Sequence, residues 1–112
     1  MATLKKNMTS NFGLSAQTIA LLHSAFSKFP AIDEVQIFGS RATGKFRAGS
    51  DIDLAIFSPT LSYNDLLDLQ ITIDDLELLY KIDLLDYKKI DHPALKNHID
   101  QAGKTFYSAN EV

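Results

Sequence analysis

The sequence predicts an α/β protein of the α+β kind, in which a small mixed β-sheet is flanked by helices. Short apolar segments are bounded by glycine, proline or polar turns, as buried strands are. Longer segments between them carry apolar residues three and four positions apart, which is the spacing of an amphipathic helix. The two patterns alternate along 112 residues, the length of a single domain.

The first half of the chain predicts one helix and two strands. Ser15 can cap a helix whose apolar spacing continues until Pro30. Residues 35–38 form an apolar run that stops at Gly39, which indicates a buried strand. Residues 51–57 alternate between apolar and other side chains, which predicts a second strand with two different faces.

The second half predicts two further helices and a third strand. Ser62 can cap a long helix, and residues 81–87 form the third strand. A last helix is expected to start at Asp91 and Pro93 and to end at Gly103.

The lengths of the connections predict how the strands pair. The chain between the second and third strands is long enough for a helical crossover, so these strands are expected to be parallel. The first and second strands are too close in sequence for a crossover, so an antiparallel pair is expected. Residues 105–107 are expected to add a short terminal strand. We expect residues 14–108 to form the domain and residues 1–13 to form a flexible N-terminal arm.

Composition excludes several classes of function. The net charge is −3, which argues against broad nucleic-acid binding. The absence of cysteine excludes disulfides and thiolate metal sites. No apolar run approaches about 18 residues, and the N-terminus lacks the apolar core of a signal peptide. We therefore expect a cytoplasmic protein that does not bind membranes.

Two aspartates at the start of the second strand suggest a site for divalent metal. Asp51 and Asp53 are two residues apart, so their side chains leave the same face about 7 Å apart. Divalent cations would offset the repulsion between them, and carboxylate oxygens suit Mg²⁺ or Mn²⁺. Asp83, between apolar residues of the third strand, is the expected third acid, whereas Asp86 faces the other way. The alternative is that Asp51 and Asp53 cap a turn or solvate an edge strand.

The loop between the first two strands suggests a phosphate site. Gly39 permits a sharp turn and a close approach to a ligand, and Ser40 and the amides after it can donate to phosphate oxygens. Arg41 and Arg47 can neutralise polyphosphate charge. Ser50 either caps the turn into the second strand or contacts the ligand. A solvated basic loop is the alternative for the whole segment.

The order of these motifs resembles that of a known enzyme family. Residues 39–41 followed by residues 47–54 resemble the signature of the polymerase-beta-type nucleotidyltransferases, and residues 81–84 resemble their third-carboxylate strand. The size of the chain and the segment from His92 to Tyr107 resemble the minimal members with a single domain. The resemblance implies the polymerase-beta-like nucleotidyltransferase fold and Mg²⁺-dependent transfer of AMP from ATP.

The resemblance also implies roles for individual residues. Asp51 and Asp53 would hold a pair of Mg²⁺ ions that bridge the nucleotide phosphates. Asp83 would help to hold one ion and would orient or deprotonate the acceptor hydroxyl. Ser40 and Arg41 would hold the departing pyrophosphate.

Minimal members of this family are often antitoxins that are encoded beside a helical HEPN-domain ribonuclease toxin. The resemblance implies that such a protein transfers AMP to a tyrosine of the toxin, in a hetero-oligomer with it. Two alternatives remain open. One is a catalytically idle antitoxin that acts by binding alone, and the other is a catalytic subunit that modifies a small hydroxylated acceptor held by a separate partner.

Two further groups of polar residues have other interpretations. The acids along the second long helix form a solvated face, or alternatively meet a basic toxin: Asp65, Asp68, Asp74, Asp75 and Glu77. His92 and His98 lie six residues apart on the last helix and do not share a face, so we do not expect them to bind a metal together.

Overall fold

Residues 12–110 are the part of the chain that this computed structural model describes, and they form four α-helices, one short 3₁₀ helix (Tyr87–Lys89) and four strands. The helices are α1 (Ala16–Ser27), α2 (Ser40–Thr43), α3 (Tyr63–Asp74) and α4 (Pro93–Ala102). The strands are β1 (Glu34–Phe38), β2 (Ile52–Phe57), β3 (Ile82–Asp86) and β4 (Lys104–Ser108). This order of elements confirms the predicted α+β class.

The four strands form one mixed sheet in the order β3-β2-β1-β4. β1 and β2 are antiparallel, and β2 and β3 are parallel with α3 between them, as the connection lengths predicted. β4 pairs with the other side of β1 in antiparallel orientation, and an irregularity between Val35 and Gln36 shifts its register. β2 is therefore an inner strand, and Asp53 near its start has a neighbouring strand on each side.

Side-chain caps determine where the long helices begin. Ser15 Oγ accepts a hydrogen bond from the Thr18 amide (3.1 Å), and Ser62 Oγ accepts one from the Asp65 amide (3.0 Å), as predicted.

The cap of α4 differs from the prediction. The helix begins at Pro93, one of the two residues predicted to start it, but its cap is His92 rather than Asp91, since His92 Nδ1 accepts a hydrogen bond from the Leu95 amide (3.3 Å). The physical reason is that Pro93 has the φ of a first helical residue and no amide hydrogen to leave unpaired, so the cap is the residue directly before it.

The sheet has two faces of different character. On one face, alternate residues of β2 are fully buried in the main hydrophobic core with α1 and α3: Ile52, Leu54 and Ile56. On the other face, Ala55 packs with Phe38 and with Ile99 of α4 in a smaller core. Because successive side chains of a strand point to opposite faces, Asp53 shares this second face with Ala55.

The predicted N-terminal arm is described only at its end. Residues 1–11 lie outside the described residues, so the flexible arm stays a prediction there. Phe12 and Gly13 form a turn, and the Phe12 ring packs near the Phe106 ring of β4 with centroids 6.2 Å apart. No helix within residues 12–110 has the length and apolar character needed to cross a membrane.

Candidate active site

Acidic side chains gather where β2 and β3 begin. The parallel register pairs Asp53 with Asp83, and on the other side Asp53 lies opposite Phe38 of β1. Residues at the same level of neighbouring strands project from the same face, so the two carboxyls lie side by side. Asp51 directly precedes β2 and is exposed. The strand register thus brings the expected third acid next to the predicted pair.

Asp86, three residues after Asp83, belongs to the opposite face of the sheet. Its carboxylate is buried and pairs with the Lys88 ammonium at 2.7 Å. Lys88 also donates to the Leu61 carbonyl (2.9 Å), so this ion pair joins the end of β3 to the loop before α3. Asp86 is therefore a structural residue, separate from the carboxylate group at the start of the strands.

The crowding of carboxyls changes the acidity of Asp53. Burial raises the pKa of Asp53 above its ordinary value of 3.8, and the carboxylates of Asp83 and Asp51 raise this pKa further. Hydrogen bonding between the Asp53 and Asp83 side chains also raises the pKa of Asp53, whereas the charge of His98 lowers it. Uncompensated negative charge is therefore concentrated on this part of β2.

These carboxylates fit a hard divalent cation by donor type and by charge. Oxygen ligands are those that Mg²⁺ takes, and a cation would offset the repulsion that raises the pKa of Asp53. Across residues 12–110, no three acidic or histidine side chains are grouped closely enough to enclose a metal ion. Asp51 is exposed, so a change in its side-chain rotamer would cost little packing. The carboxylates therefore suit a divalent cation by their ligand type and charge, but they do not already enclose a metal site.

Gly39 brings the main chain against the Asp53 carboxylate. Its φ of +73° lies in the left-handed region, and a Cβ atom at this position would lie 2.5 Å from Asp53 Oδ2. Glycine is therefore required here for both conformational and steric reasons. The turn after β1 consequently contacts the same carboxyl group that lies beside Asp83.

His98 of α4 is the part of this site that our sequence reasoning missed. The Gly39 amide donates a hydrogen bond to His98 Nε2 (3.1 Å), and the imidazole meets the Phe38 ring edge to face with centroids 6.1 Å apart. The available signal was its position on α4, because His98 is adjacent to Ile99 and three residues after Leu95, which both pack on the sheet. Its partner lies 59 positions away, and no spacing pattern points to it.

Arg41 lies inside the loop between β1 and β2. Its side chain is 2% exposed, Nη1 donates to the Phe12 carbonyl (2.9 Å), and Nε and Nη2 donate to the Ser50 carbonyl (3.2 and 2.9 Å). The guanidinium carbon also lies 5.1 Å from the Phe46 ring centroid and 4.9 Å from that of Tyr80. The sequence suggested a phosphate contact, but these donors already bind main-chain carbonyls. We therefore assign Arg41 to holding the loop together.

The remaining loop residues differ in their accessibility. Ser50 Oγ accepts a hydrogen bond from the Arg47 amide (2.8 Å), so of the two roles left open for Ser50 the structure has the turn cap. The Arg47 side chain is exposed, and Ser40 is half-buried at the first position of α2. Arg47 is thus accessible to a ligand, and Ser40 and Ser50 are both half-buried, with the Ser50 hydroxyl closing the turn.

Comparison with known protein families gives a match over most of the chain. The family model described as Polymerase beta, Nucleotidyltransferase matches residues 21–112, a range that includes all the predicted site residues. The sequence has no significant match among curated proteins.

Several solved structures share this fold and come from toxin–antitoxin pairs. A toxin–antitoxin structure with AMP-PNP has a TM-score of 0.62 and 24% identity, over 87% of this chain and 76% of that chain. The toxin–antitoxin MntA–HepT has a TM-score of 0.60 and 19% identity, over 85% and 74% of the respective chains. A tri-AMPylated Shewanella oneidensis HEPN toxin in complex with MNT antitoxin has a TM-score of 0.53 and 21% identity, over 81% and 73%. At these identities the similarity shows a common fold.

Proposed function

This chain belongs to the polymerase beta nucleotidyltransferase family, and we propose that it transfers AMP from ATP to a tyrosine hydroxyl of a HEPN-type toxin, as an antitoxin. The observation that carries the proposal is the pairing of Asp53 with Asp83 beside the main chain of Gly39. This arrangement puts two carboxylate ligands for a cation next to a turn that a phosphate can approach closely.

The acids are the proposed metal ligands. Asp51, Asp53 and Asp83 offer only carboxylate oxygens, and positive charge among them would relieve the repulsion that raises the pKa of Asp53. When bound, a pair of Mg²⁺ ions supplies electrostatic stabilisation of the attacking and leaving oxygens. The contribution of the chain is to hold the three carboxylates at the start of two neighbouring strands.

The proposed reaction is an in-line displacement at the α-phosphorus of ATP. The acceptor oxygen forms a bond to the α-phosphorus while the bond from that phosphorus to the β-phosphate oxygen breaks, and pyrophosphate leaves. Asp83 accepts the proton that the acceptor hydroxyl loses. The acceptor then carries AMP through a phosphodiester bond.

The loop residues take two proposed roles toward the nucleotide. The Ser40 hydroxyl can donate to a phosphate oxygen, and the exposed Arg47 can neutralise phosphate charge. Arg41 acts indirectly, because its guanidinium binds the carbonyls of Phe12 and Ser50 and so keeps the loop in one conformation.

The similar structures support the choice of nucleotide and acceptor. One toxin–antitoxin structure is a complex with AMP-PNP, and in another the HEPN toxin in complex with MNT antitoxin is tri-AMPylated. By analogy of fold, ATP is the proposed substrate, and a hetero-oligomer with a HEPN-type toxin is the proposed assembly.

The test uses this protein, Mg²⁺, ATP labelled at the α-phosphorus and the product of the gene next to its own. We expect label on the partner protein, with pyrophosphate released in equal amount. The Asp51→Asn/Asp53→Asn variant should transfer none, while Asp91→Asn, which changes an exposed acid outside the site, should transfer as the wild type does.

Three other outcomes would contradict this proposal. If the Asp51→Asn/Asp53→Asn variant inhibits the partner protein as well as the wild type does, the antitoxin acts by binding alone. Label on a small hydroxylated compound instead of a protein would indicate a catalytic subunit that modifies a small acceptor held by a separate partner. Transfer that persists without Mg²⁺ or Mn²⁺ would exclude the proposed role of the carboxylates.

A further inference from the structure

The outer side of α3 carries an apolar stripe that no other part of the described chain covers. Tyr63, Leu67 and Ile71 are 67%, 37% and 59% exposed, and they recur at every fourth position of the helix. α3 is apolar on its inner side as well, where Leu69 and Ile73 are buried in the main core. The hydrophobic core thus accounts for only one of the two apolar sides of this helix.

Negative charge surrounds this α3 stripe. Five acids lie on α3 or just after it: Asp65, Asp68, Asp74, Asp75 and Glu77. No lysine or arginine occurs between Arg47 and Lys81, so the segment 63–80 alone is more negative than the net −3 of the whole chain. Among residues 12–110 the only ion pair joins Lys88 to Asp86, so the fold leaves the charge of these acids unneutralised.

The acids and the stripe share one surface. Asp68 is three residues before Ile71, and Asp74 and Asp75 are three and four residues after it, so these acids border the same side of the helix. Exposed apolar side chains with a polar border are typical of protein interaction sites.

The charge decides which kind of occupant fits. A second copy of this chain would bring two acidic surfaces together across a two-fold axis, where they repel. Nucleic acids and anionic membranes carry the same sign of charge as the surface. A helix whose own apolar residues are flanked by lysine or arginine has complementary shape and charge.

The stripe also runs toward the end of the sheet that carries the carboxylates. α3 connects the parallel strands β2 and β3, so it runs in the opposite direction to both. Asp53 and Asp83 lie at the starts of those strands, which places Ile71 at the near end of α3 and Tyr63 at the far end. A partner that lies along the stripe therefore reaches the end of the sheet at which the acids lie, and must pass around that end because α3 and Asp53 are on opposite faces of the sheet.

We propose that the α3 stripe docks the protein that accepts AMP, through an amphipathic helix of that protein with a basic border. The inference rests on the proposed function, because it assigns a surface to the acceptor in that reaction. The stripe spans about 12 Å, or about two helical turns, which is enough for one helix–helix crossing.

The first measurement is the Kd for the product of the adjacent gene, by calorimetry without nucleotide. Leu67→Ser/Ile71→Ser should weaken binding about tenfold or more, because it removes the apolar anchors. The matched control is Leu79→Ser, which removes a leucine that is fully exposed but lies outside α3. This control should leave the Kd unchanged, and all variants should keep the thermal unfolding temperature of the wild type.

The second measurement tests the charge. Asp68→Lys/Asp75→Lys should also weaken binding about tenfold, and the difference from the wild type should shrink as salt is added. Asp33→Lys reverses an exposed acid before β1 and should leave the Kd unchanged. Weakening by Asp33→Lys in proportion to its smaller change of charge would show that only overall charge matters, and would overturn the docking surface.

Binding and transfer are measured separately so that each proposal can fail alone. The variant Leu67→Ser/Ile71→Ser should keep its affinity for ATP and raise the KM for the acceptor protein, with kcat preserved. Asp53→Asn should bind the partner normally and transfer no AMP. If the wild type binds the partner through the α3 stripe but transfers no AMP, the enzymatic proposal fails and the docking surface still stands.

Other results would overturn the docking surface itself. Unchanged Kd in the stripe and charge variants would place the partner elsewhere, as would failure of the wild type to bind the gene product. If the wild type self-associates in sedimentation and Leu67→Ser/Ile71→Ser makes it monomeric, the occupant is a second copy of this chain.

Discussion

On one face of β2, Ile52, Leu54 and Ile56 are fully buried, whereas on the other face Asp53 is half-buried and Asp51 is exposed. The first face is covered by α1 and α3 and supplies stability, since burial of each large aliphatic side chain contributes about 1.5–3 kcal/mol. The second face concentrates like charge, which opposes folding. Alternation along one strand thus separates the residues that stabilise the protein from those proposed for chemistry.

The largest effect on stability is expected on the buried face. Leu54→Ala leaves a cavity between the sheet and the helices and should lower the free energy of unfolding by about 2–5 kcal/mol. The folded fraction should still bind ATP with the wild-type affinity, because the removed side chain points away from the acids. Urea unfolding and ATP titration check this, and a loss of ATP affinity in the folded protein would show that the two faces are coupled.

The next largest effect is expected where the main chain meets the acidic face. Gly39→Ala puts a Cβ 2.5 Å from Asp53 Oδ2 and should lower kcat/KM for AMP transfer about a hundredfold, because the carboxylate must move. Gly44→Ala is the matched control, since Gly44 has a similar φ of +85° but no atom within 4 Å of the added Cβ. It carries the same backbone strain without the collision.

The difference between these two alanine variants measures the collision alone. Both should lose some stability in thermal unfolding because alanine disfavours positive φ. Only Gly39→Ala should lose transfer activity, and equal activity in the two variants would mean that the position of Asp53 is not critical.

A smaller effect is expected at the hydrogen bond that joins α4 to the acidic face. His98→Leu removes the acceptor of the Gly39 amide and should raise the KM for ATP about tenfold, the cost of leaving a half-buried donor unpaired. His98→Gln retains an acceptor and should restore most of the affinity. If glutamine and leucine give the same KM, the histidine supports packing only and does not position the loop.

The smallest effect concerns the pH dependence of stability. The pKa of Asp53 is raised in the folded protein, so the folded state binds more protons than the unfolded state in the range between 3.8 and the raised value. The stability associated with protonated Asp53 is therefore fully present below 3.8 and is lost as pH rises through the raised pKa. The free energy of unfolding, measured with urea at several pH values, should therefore fall less with rising pH in Asp53→Asn than in the wild type.

Addition of Mg²⁺ sharpens the same comparison. A cation that binds the carboxylates stabilises the folded state at neutral pH, and the gain should depend on Mg²⁺ concentration. The gain should disappear in Asp53→Asn, while Leu54→Ala should keep it despite its lower stability. Equal stabilisation of all variants would indicate a general salt effect.

Much of the fold was predictable because its signals are local. Ser15 and Ser62 cap the helices that they were expected to cap, and the alternation of residues 51–57 indicated a strand with two unlike faces. Pro93 starts α4 as predicted, but the cap is His92 rather than Asp91, because the cap is the residue directly before the first helical position that Pro93 occupies. The side on which β4 joins the sheet had no local signal.

The sequence by itself determined where the strands lie to within one residue at each end, and that the chain belongs with the nucleotidyltransferases. These features depend on spacings of a few residues, which follow from the geometry of single strands and helices. Only the tertiary structure decided that Arg41 turns inward to the carbonyl of Phe12 and that His98 accepts from Gly39. Those contacts join residues 29 and 59 positions apart, and such partners become neighbours only when the sheet and helices pack together.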